Sequence, residues 1–344
     1  MRKLFLIFSL FFTFTFNFNL NCQDYHLSQI LDACSFLNPA NVGLNQPLYT
    51  SLTYRQQWLN ISSPYKTAIL DVNGRIFTQS GTGSSLGLGL IVIHDNSGIN
   101  AKLNTLNAQI ALMGKVLLSE NQNLSAGIIG GVMQRKINGD IKWSGQYNPI
   151  TLEYDETIPG EELKKESKIN PDIGAGIQWS YGRGASTISS QDQLGAQIGI
   201  SFYHLNKPDI SFLNKDDNRY IRGLIHGSLI MGIINTPLQI NPGLIYQFQG
   251  PSKMLLFGSK IKYLLQEASK YTGFLFSRTL NFGAYYRLNE ALILLLQIEW
   301  DRFAFGISYD ATISHLTTKA GSQGTIEVNL KYLPGKEYTS SKLL

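Results

Sequence analysis

Apolar and polar residues alternate along most of this chain. In Arg302-Phe303-Ala304-Phe305-Gly306-Ile307-Ser308-Tyr309-Asp310, and in Thr325-Ile326-Glu327-Val328-Asn329-Leu330-Lys331-Tyr332, apolar or aromatic residues take every second place. Side chains on a strand point alternately to opposite faces, so each stretch predicts a strand with one oily and one wet face. The same pattern, with turn residues between, predicts strands near 47–59, 65–78, 84–93, 101–117, 124–137, 172–181 and 192–203, then 220–233, 238–249, 254–266, 273–286, 291–299, 302–314 and 324–333, about fourteen in all. Glycines fall mostly on the wet face, as expected where a closed lumen crowds the backbone. Pro242 cannot donate to a ladder, so a bulge is expected there. On this reading Phe303, Phe305, Ile307 and Tyr309 face lipid, and Arg302, Ser308 and Asp310 face a lumen. Arg75, Arg222 and Glu327 join them there, either lining a channel or pairing inside it.

Residues 24–46 do not alternate. Tyr25 to Phe36 predicts a short helix ended by Asn38-Pro39, within a periplasmic or lumenal N-terminal segment at 23–46. The two longest predicted loops, 138–171 and 204–219, follow the fifth and seventh strands and so leave the same end of an even-stranded barrel. Most turns after even strands are short, although 182–191 is longer than expected. Predicted strands of about 10–15 residues are long for a secreted sandwich, where about 5–6 is typical, and fit tilted membrane strands. Aromatic residues cluster near strand ends (Tyr49, Tyr54, Trp58, Trp179, Tyr181, Trp300 and Tyr332), where interfacial girdles belong. The expected fold is all-β, a single-chain transmembrane antiparallel barrel over 47–333 with a periplasmic tail at 334–344.

The start of the chain points to export. Met1-Arg2-Lys3 is a basic head and Leu4 to Leu20 is almost wholly apolar, the pattern of a secretory signal peptide at 1–22. A spanning anchor is the rival reading, but no stop-transfer charges follow. Cys22 suggests a lipid acceptor, but Asn21 stands where small residues are expected. Removing Arg2 and Lys3 from the 29 basic residues leaves a charge of about +3 against 24 acidic ones, too mild to argue for nucleic acid. Only Cys34 then remains, so no internal disulfide is available.

No catalytic constellation emerges, and no enzyme activity, metal or cofactor is expected. His26, His94, His204, His226 and His315 lack zinc-type spacing and read as loop or lumen residues. Gly81 to Gly87 has one residue too many for a dinucleotide loop and precedes a strand. Ser63-Pro64-Tyr65-Lys66 has a Ser-x-x-Lys spacing, but Pro64 resists the helix that motif needs. The run Glu161-Glu162-Leu163-Lys164-Lys165-Glu166, in the longest loop, is either solvated or a partner contact.

Several segments carry a resemblance. Gln23-Asp24, Ser28-Gln29 and Asn38-Pro39-Ala40 with Gly43 look like the mature start of the PorP/SprF proteins of the type IX secretion system. Tyr54-Arg55-Gln56-Gln57-Trp58 is similar to the family's Tyr-Arg-x-Gln-Trp strand. Asp172-Ile173-Gly174-Ala175-Gly176, Ser201-Phe202-Tyr203-His204-Leu205 with Pro208, Gly283-Ala284-Tyr285-Tyr286-Arg287 and Phe305-Gly306-Ile307-Ser308-Tyr309-Asp310 match in order. Tyr25 stands where the family usually has proline, and Gly321-Ser322-Gln323-Gly324 replaces a commoner Gly-Ser-His-Glu. The resemblance implies a non-enzymatic outer-membrane barrel of Bacteroidota-type bacteria. Its partners would be outer-membrane lipid, type IX components and a large secreted adhesin, including those used in gliding, whose export or surface attachment it supports. The alternatives are a porin or hydrophobic-solute transporter and, more remotely, a soluble secreted hydrolase or binding sandwich.

Overall fold

Fourteen strands close into one antiparallel barrel. The computed structural model describes residues 24–59, 64–80, 82–98, 102–138, 143–155, 157–160, 166–183, 193–212, 217–266, 277–313 and 324–334. The expected leader 1–22, Ser63, Gly81, the run 161–165, His315 and the tail beyond Pro334 lie outside them. The strands are β1 (Leu48–Gln57), β2 (Tyr65–Thr78), β3 (Ser85–Ser97), β4 (Lys102–Ser119), β5 (Gln122–Asn138), β6 (Tyr147–Asn148), β7 (Glu153–Tyr154) and β8 (Ser167–Arg183). They continue with β9 (Leu194–Tyr203), β10 (Arg222–Gly232), β11 (Leu238–Gln249), β12 (Ser252–Gln266), β13 (Arg278–Arg287), β14 (Ala291–Trp300), β15 (Phe303–Thr312) and β16 (Thr325–Tyr332). All but β6 and β7 form the wall. Those two make a separate hairpin in the connection from β5 to β8. β1 pairs with β16 from Thr50↔Tyr332 to Gln56↔Ile326 and seals the ring.

The alternation in the sequence becomes the two faces of this wall. On β14, Leu292, Leu294, Leu296 and Ile298 are exposed outward, while Ile293, Leu295 and Gln297 are buried inward. A continuous belt of exposed Leu, Ile and Phe is not tolerated in water, whereas hydrocarbon accepts it. Closure pairs the backbone all round the ring, which a bilayer demands. Phe303, Phe305, Ile307 and Tyr309 face outward and Ser308 and Asp310 inward, as the alternation predicts. Connections 139–166 and 204–221 leave one end, here the long-loop end. The other, short-turn end holds turns 120–121, 233–237 and 301–302, the entry to β1 and the exit from β16. Connections 184–193 and 267–277 are the long exceptions there.

Four expectations need correction. Tyr25 to Phe36 is not one helix but a 3-10 turn (Ile30–Asp32) and a single α-turn (Cys34–Leu37), followed by a second 3-10 turn (Pro39–Asn41). Wall side chains accept from its backbone N–H groups, so helix nucleation gains little there. Pro242 produces no bulge: it pairs with Ser259, and the β10–β11 register is unchanged on either side of it, from Ser228↔Gly243 to Met231↔Ile240. Arg302 is not lumenal but lies in the turn after β14, 51% exposed and 3.9 Å from Asp301. β8 begins five residues early because Ser167 to Pro171 continue pairing with Lys136 to Val132. The strand start expected at 273 falls outside the described residues, among which β13 pairs with β12 as far as Gln266↔Arg278.

Candidate functional site

The lumen is occupied by the chain's own residues 24–46. Leu27, Ile30, Phe36, Leu37, Val42 and Leu44 are buried in one cluster with inward residues of the wall, among them Ile91, Ile129, Ile245 and Ile293. This plug begins at the long-loop end, doubles back so that Tyr25 stacks on Phe36 at 5.6 Å, and leaves at the short-turn end into β1. Glycines in the wall receive it. A Cβ on Gly87 would lie 2.2 Å from the Val42 carbonyl oxygen, and one on Gly127 2.4 Å from the Pro39 carbonyl carbon.

Polar ties fix the plug along its length. At the long-loop end, Asp24 is buried between His204, whose Nε2 is 2.8 Å from Oδ2, and the guanidinium of Arg219. Arg222 lies 3.5 Å away, and the Gln249 Oε1 accepts from the Asp24 N–H at 2.9 Å. The other ring nitrogen of His204 meets Asp172 at 2.8 Å. Burial opposes the charged form of Asp24, but Arg219, His204 and Arg222 outweigh it and hold its carboxyl well below the usual range. Burial likewise opposes a charged His204, and the Asp24 and Asp172 carboxylates overcome it, raising its pKa above the ordinary 6.5.

Further in, the Glu327 carboxylate accepts from the Ser28 and Gln29 N–H groups at 2.7 and 2.9 Å. Arg55 lies 3.6 Å from Glu327 and 3.9 Å from Asp310, and Arg287 lies 3.2 Å from Asp310. Asp71 accepts from the Ser35 N–H at 2.9 Å and from its hydroxyl at 2.8 Å. Asp32 is held by Lys260 and Lys331 at 2.9 and 3.0 Å. Arg75 donates to the carbonyls of Gly43 and Leu44. Among the described residues these inward charges pair inside the barrel and with the plug.

The residues singled out by resemblance divide by face. Asn38 donates to the carbonyl of Ile177 and meets His226 at 3.1 Å, while its own oxygen caps the Ala40 N–H. Pro39 and Ala40 are buried beside it. Arg55, Arg287 and Asp310 converge in the Glu327 network, Gly306 sits against the Gln29 side chain, and His204 closes the long-loop end. Tyr54 and Tyr309 face outward, Tyr286 is half-buried against Phe257, and Trp58 packs edge-on against Tyr65 at the rim. Sequence reasoning missed Asp24, Asp32, Asp71, Lys260 and Lys331 as the groups that tie plug to wall. For Asp71, Lys260 and Lys331 a signal was available, since a charge on an inward strand position needs a buried partner.

Two further features stand out. In the β6–β7 hairpin, Ile150 and Leu152 are 90% and 71% exposed at the long-loop end. At the short-turn end a cavity of about 580 Å³ remains between plug and wall. Among the described residues no cluster of His, Cys, Asp or Glu could hold a metal ion.

Comparison with known proteins gives one family. Residues 19–332 match the family described as "Type IX secretion system membrane protein PorP/SprF". No curated protein matches. Among solved structures, the Pseudomonas putida toluene transporter TodX is similar at 10% identity and TM-score 0.47, over 88% of this chain and 93% of that one. A Pseudomonas aeruginosa FadL homologue follows at 9% identity and TM-score 0.46, covering 88% and 94%. BamA from Haemophilus ducreyi, lacking POTRA domains 1–3, gives 11% identity and TM-score 0.41, covering 83% and 69%. At these values the likenesses carry no functional inference.

Proposed function

The chain belongs to the PorP/SprF family of type IX secretion system membrane proteins, and from that premise we propose that this outer-membrane barrel supports the secretion or surface attachment of a large adhesin, without catalysis. The observation that carries the reading is the plug. A lumen crossed by 24–46 and tied to the wall at both ends suits a rigid platform better than a conduit. By the rule that long loops face outward, the β6–β7 hairpin stands on the cell surface. Leu152 holds an apolar side chain in solvent at φ +60°, a conformation disfavoured for leucine, which supports reading the hairpin tip as a contact for a partner protein.

The test is deletion of the gene, then complementation with wild type or with Ile150→Asp/Leu152→Asp, scoring surface adhesin by antibody on intact cells. Deletion should abolish display, and the double variant should insert normally yet fail to restore it. Undiminished display after deletion would refute the reading. The porin alternative predicts steady conductance of the wild-type protein in planar bilayers, whereas the plug predicts silence.

A further inference from the structure

Charges on the wall are sorted by sign between its two faces. Among the described side chains, every carboxylate on a wall strand turns inward: Asp71, Asp95, Asp172, Glu299, Asp310 and Glu327. The charges that turn outward are all basic: Lys66, Lys136 and Lys253 at the long-loop end, and Arg183 and Arg278 at the short-turn end. Two of these share one row. Strand register sets Lys66, Asn96, Asn104, Lys136 and Ser167 opposite one another across β2, β3, β4, β5 and β8. Each shares its face with an exposed apolar residue of its own strand (Leu70, Leu90, Ile110, Val132 and Ile173), so the row looks outward. The next row toward the middle of the wall, Ala68, His94, Leu106 and Gln134, is mixed, and the one after, Leu70, Val92, Ala108 and Val132, is wholly apolar. The polar row therefore stands at the edge of the apolar belt. Trp58, packed edge-on against Tyr65, marks the same level, since Trp and Tyr gather where membrane meets water. Among the described residues neither lysine has an ion-pair partner. Three strand spacings of about 4.8 Å separate their backbones, about 14 Å in all.

We propose that this row binds the phosphorylated sugar headgroup of an outer-leaflet glycolipid of the lipid A type. The long-loop end faces outward, so the lipid beside the row belongs to the outer leaflet. Each ammonium takes a phosphate, and the amides of Asn96 and Asn104 between them meet sugar hydroxyls. The acyl chains descend over the apolar rows beneath. A glycerophospholipid with one phosphate reaches one lysine and leaves the other unpaired, whereas a sugar headgroup with two anionic groups engages both. The row belongs to the wall and not to the β6–β7 hairpin, so its test does not depend on the adhesin reading.

The experiment titrates the purified full chain in detergent with bisphosphoryl lipid A and reads binding by native mass spectrometry. Lys66→Gln and Lys136→Gln should each weaken binding about fivefold, and the double variant roughly thirtyfold. Lys66→Arg/Lys136→Arg keeps both charges and should bind as tightly as wild type. Fully dephosphorylated lipid A should bind the wild type and the Gln double variant alike. Lys253→Gln, at the same end but in an outward row with Phe248 and Gly223, should leave binding unchanged. Three results would overturn the proposal. One is a Gln double variant that binds bisphosphoryl lipid A within about threefold of wild type. Another is an equal loss in Lys253→Gln, which would reduce the effect to overall charge. The third is dioleoyl phosphatidylglycerol bound as tightly as bisphosphoryl lipid A, which would make the ligand a glycerophospholipid.

Discussion

Replacing Glu327 by glutamine should loosen the plug more than any other single isosteric change in the lumen. One carboxylate accepts from two successive plug amides, Ser28 at 2.7 Å and Gln29 at 2.9 Å, and faces Arg55 at 3.6 Å, with the Glu327 side chain fully buried. Glutamine offers one acceptor where the carboxylate offers two, so one amide loses its partner. A hydrogen bond to a charged acceptor is worth about 1.5–3 kcal/mol. Arg55 would then keep Asp310 as its one carboxylate, at 3.9 Å and shared with Arg287, which also holds Glu290 at 2.9 Å, and breaking one side of a buried ion pair costs about 3–5 kcal/mol. The two losses fall on one carboxylate and overlap, so the effect on the docked plug should be about 3–5 kcal/mol, or roughly a hundredfold to a few thousandfold in the displaced population. Cleavage after Tyr25 or Phe36 by a chymotrypsin-like protease reads that population when reclosing is fast. The rate should rise by that factor while the barrel keeps its heat-modifiable migration. The double variant Arg55→Leu/Glu327→Leu should recover part of the loss, since removing both charges leaves none unpaired. A change in cleavage of less than about threefold for Glu327→Gln would refute the electrostatic account of the plug.

Three further predictions follow from other parts of the lumen. Gly127→Val should push Pro39 off the wall and destabilise plug docking by about 1–3 kcal/mol, whereas Gly145→Ala, with nothing within 4 Å, should change neither cleavage nor melting. The latch at Asp24 should depend on pH in two directions. The raised pKa of His204 makes its contribution full below about 6.5 and lost as pH climbs through the folded value. The lowered pKa of Asp24 makes its contribution present above about 3.8 and lost as pH falls through the folded value. Cleavage at Tyr25 should therefore be slowest at mildly acidic pH and rise on the alkaline side, and His204→Asn should flatten that alkaline rise. The wild-type barrel should stay silent in planar bilayers, and deletion of residues 24–41 should open steady conductance.

The wall was legible because a bilayer enforces period two: an outward position must be apolar and an inward one is free to be polar, so fourteen strands could be counted. The plug was less legible because its contacts are long-range. Nothing local to Ser28 and Gln29 reveals that their N–H groups meet a carboxylate about 300 residues away in sequence (separations of 299 and 298). The same distance explains the failed helix: Asp24, Ser28, Gln29 and Ser35 have backbone donors satisfied by Gln249, Glu327 and Asp71, so the segment follows the shape of the lumen instead of its own hydrogen bonds.

The alternation nevertheless held a clue in the places where it breaks down. Leu90 to Ile93, Ile128-Ile129, Leu244-Ile245 and Leu292 to Leu296 are apolar on both faces, which a water-filled lumen would not favour. In each, the inward member (Ile91 and Ile93, Ile129, Ile245, Ile293 and Leu295) is buried in the cluster that holds Leu27, Ile30, Phe36 and Val42. In these four runs the inward face turns oily where the plug covers it. Doubly apolar runs also occur away from the plug, as at Val116 to Leu118, which are exposed on both faces, so such runs suggest a plug's footprint without defining it. The correspondence is open to direct test: Ile129→Asn should loosen the plug and leave the barrel intact, while Ile128→Asn, one residue away and facing lipid at 61% exposure, should impair insertion and leave the plug in place.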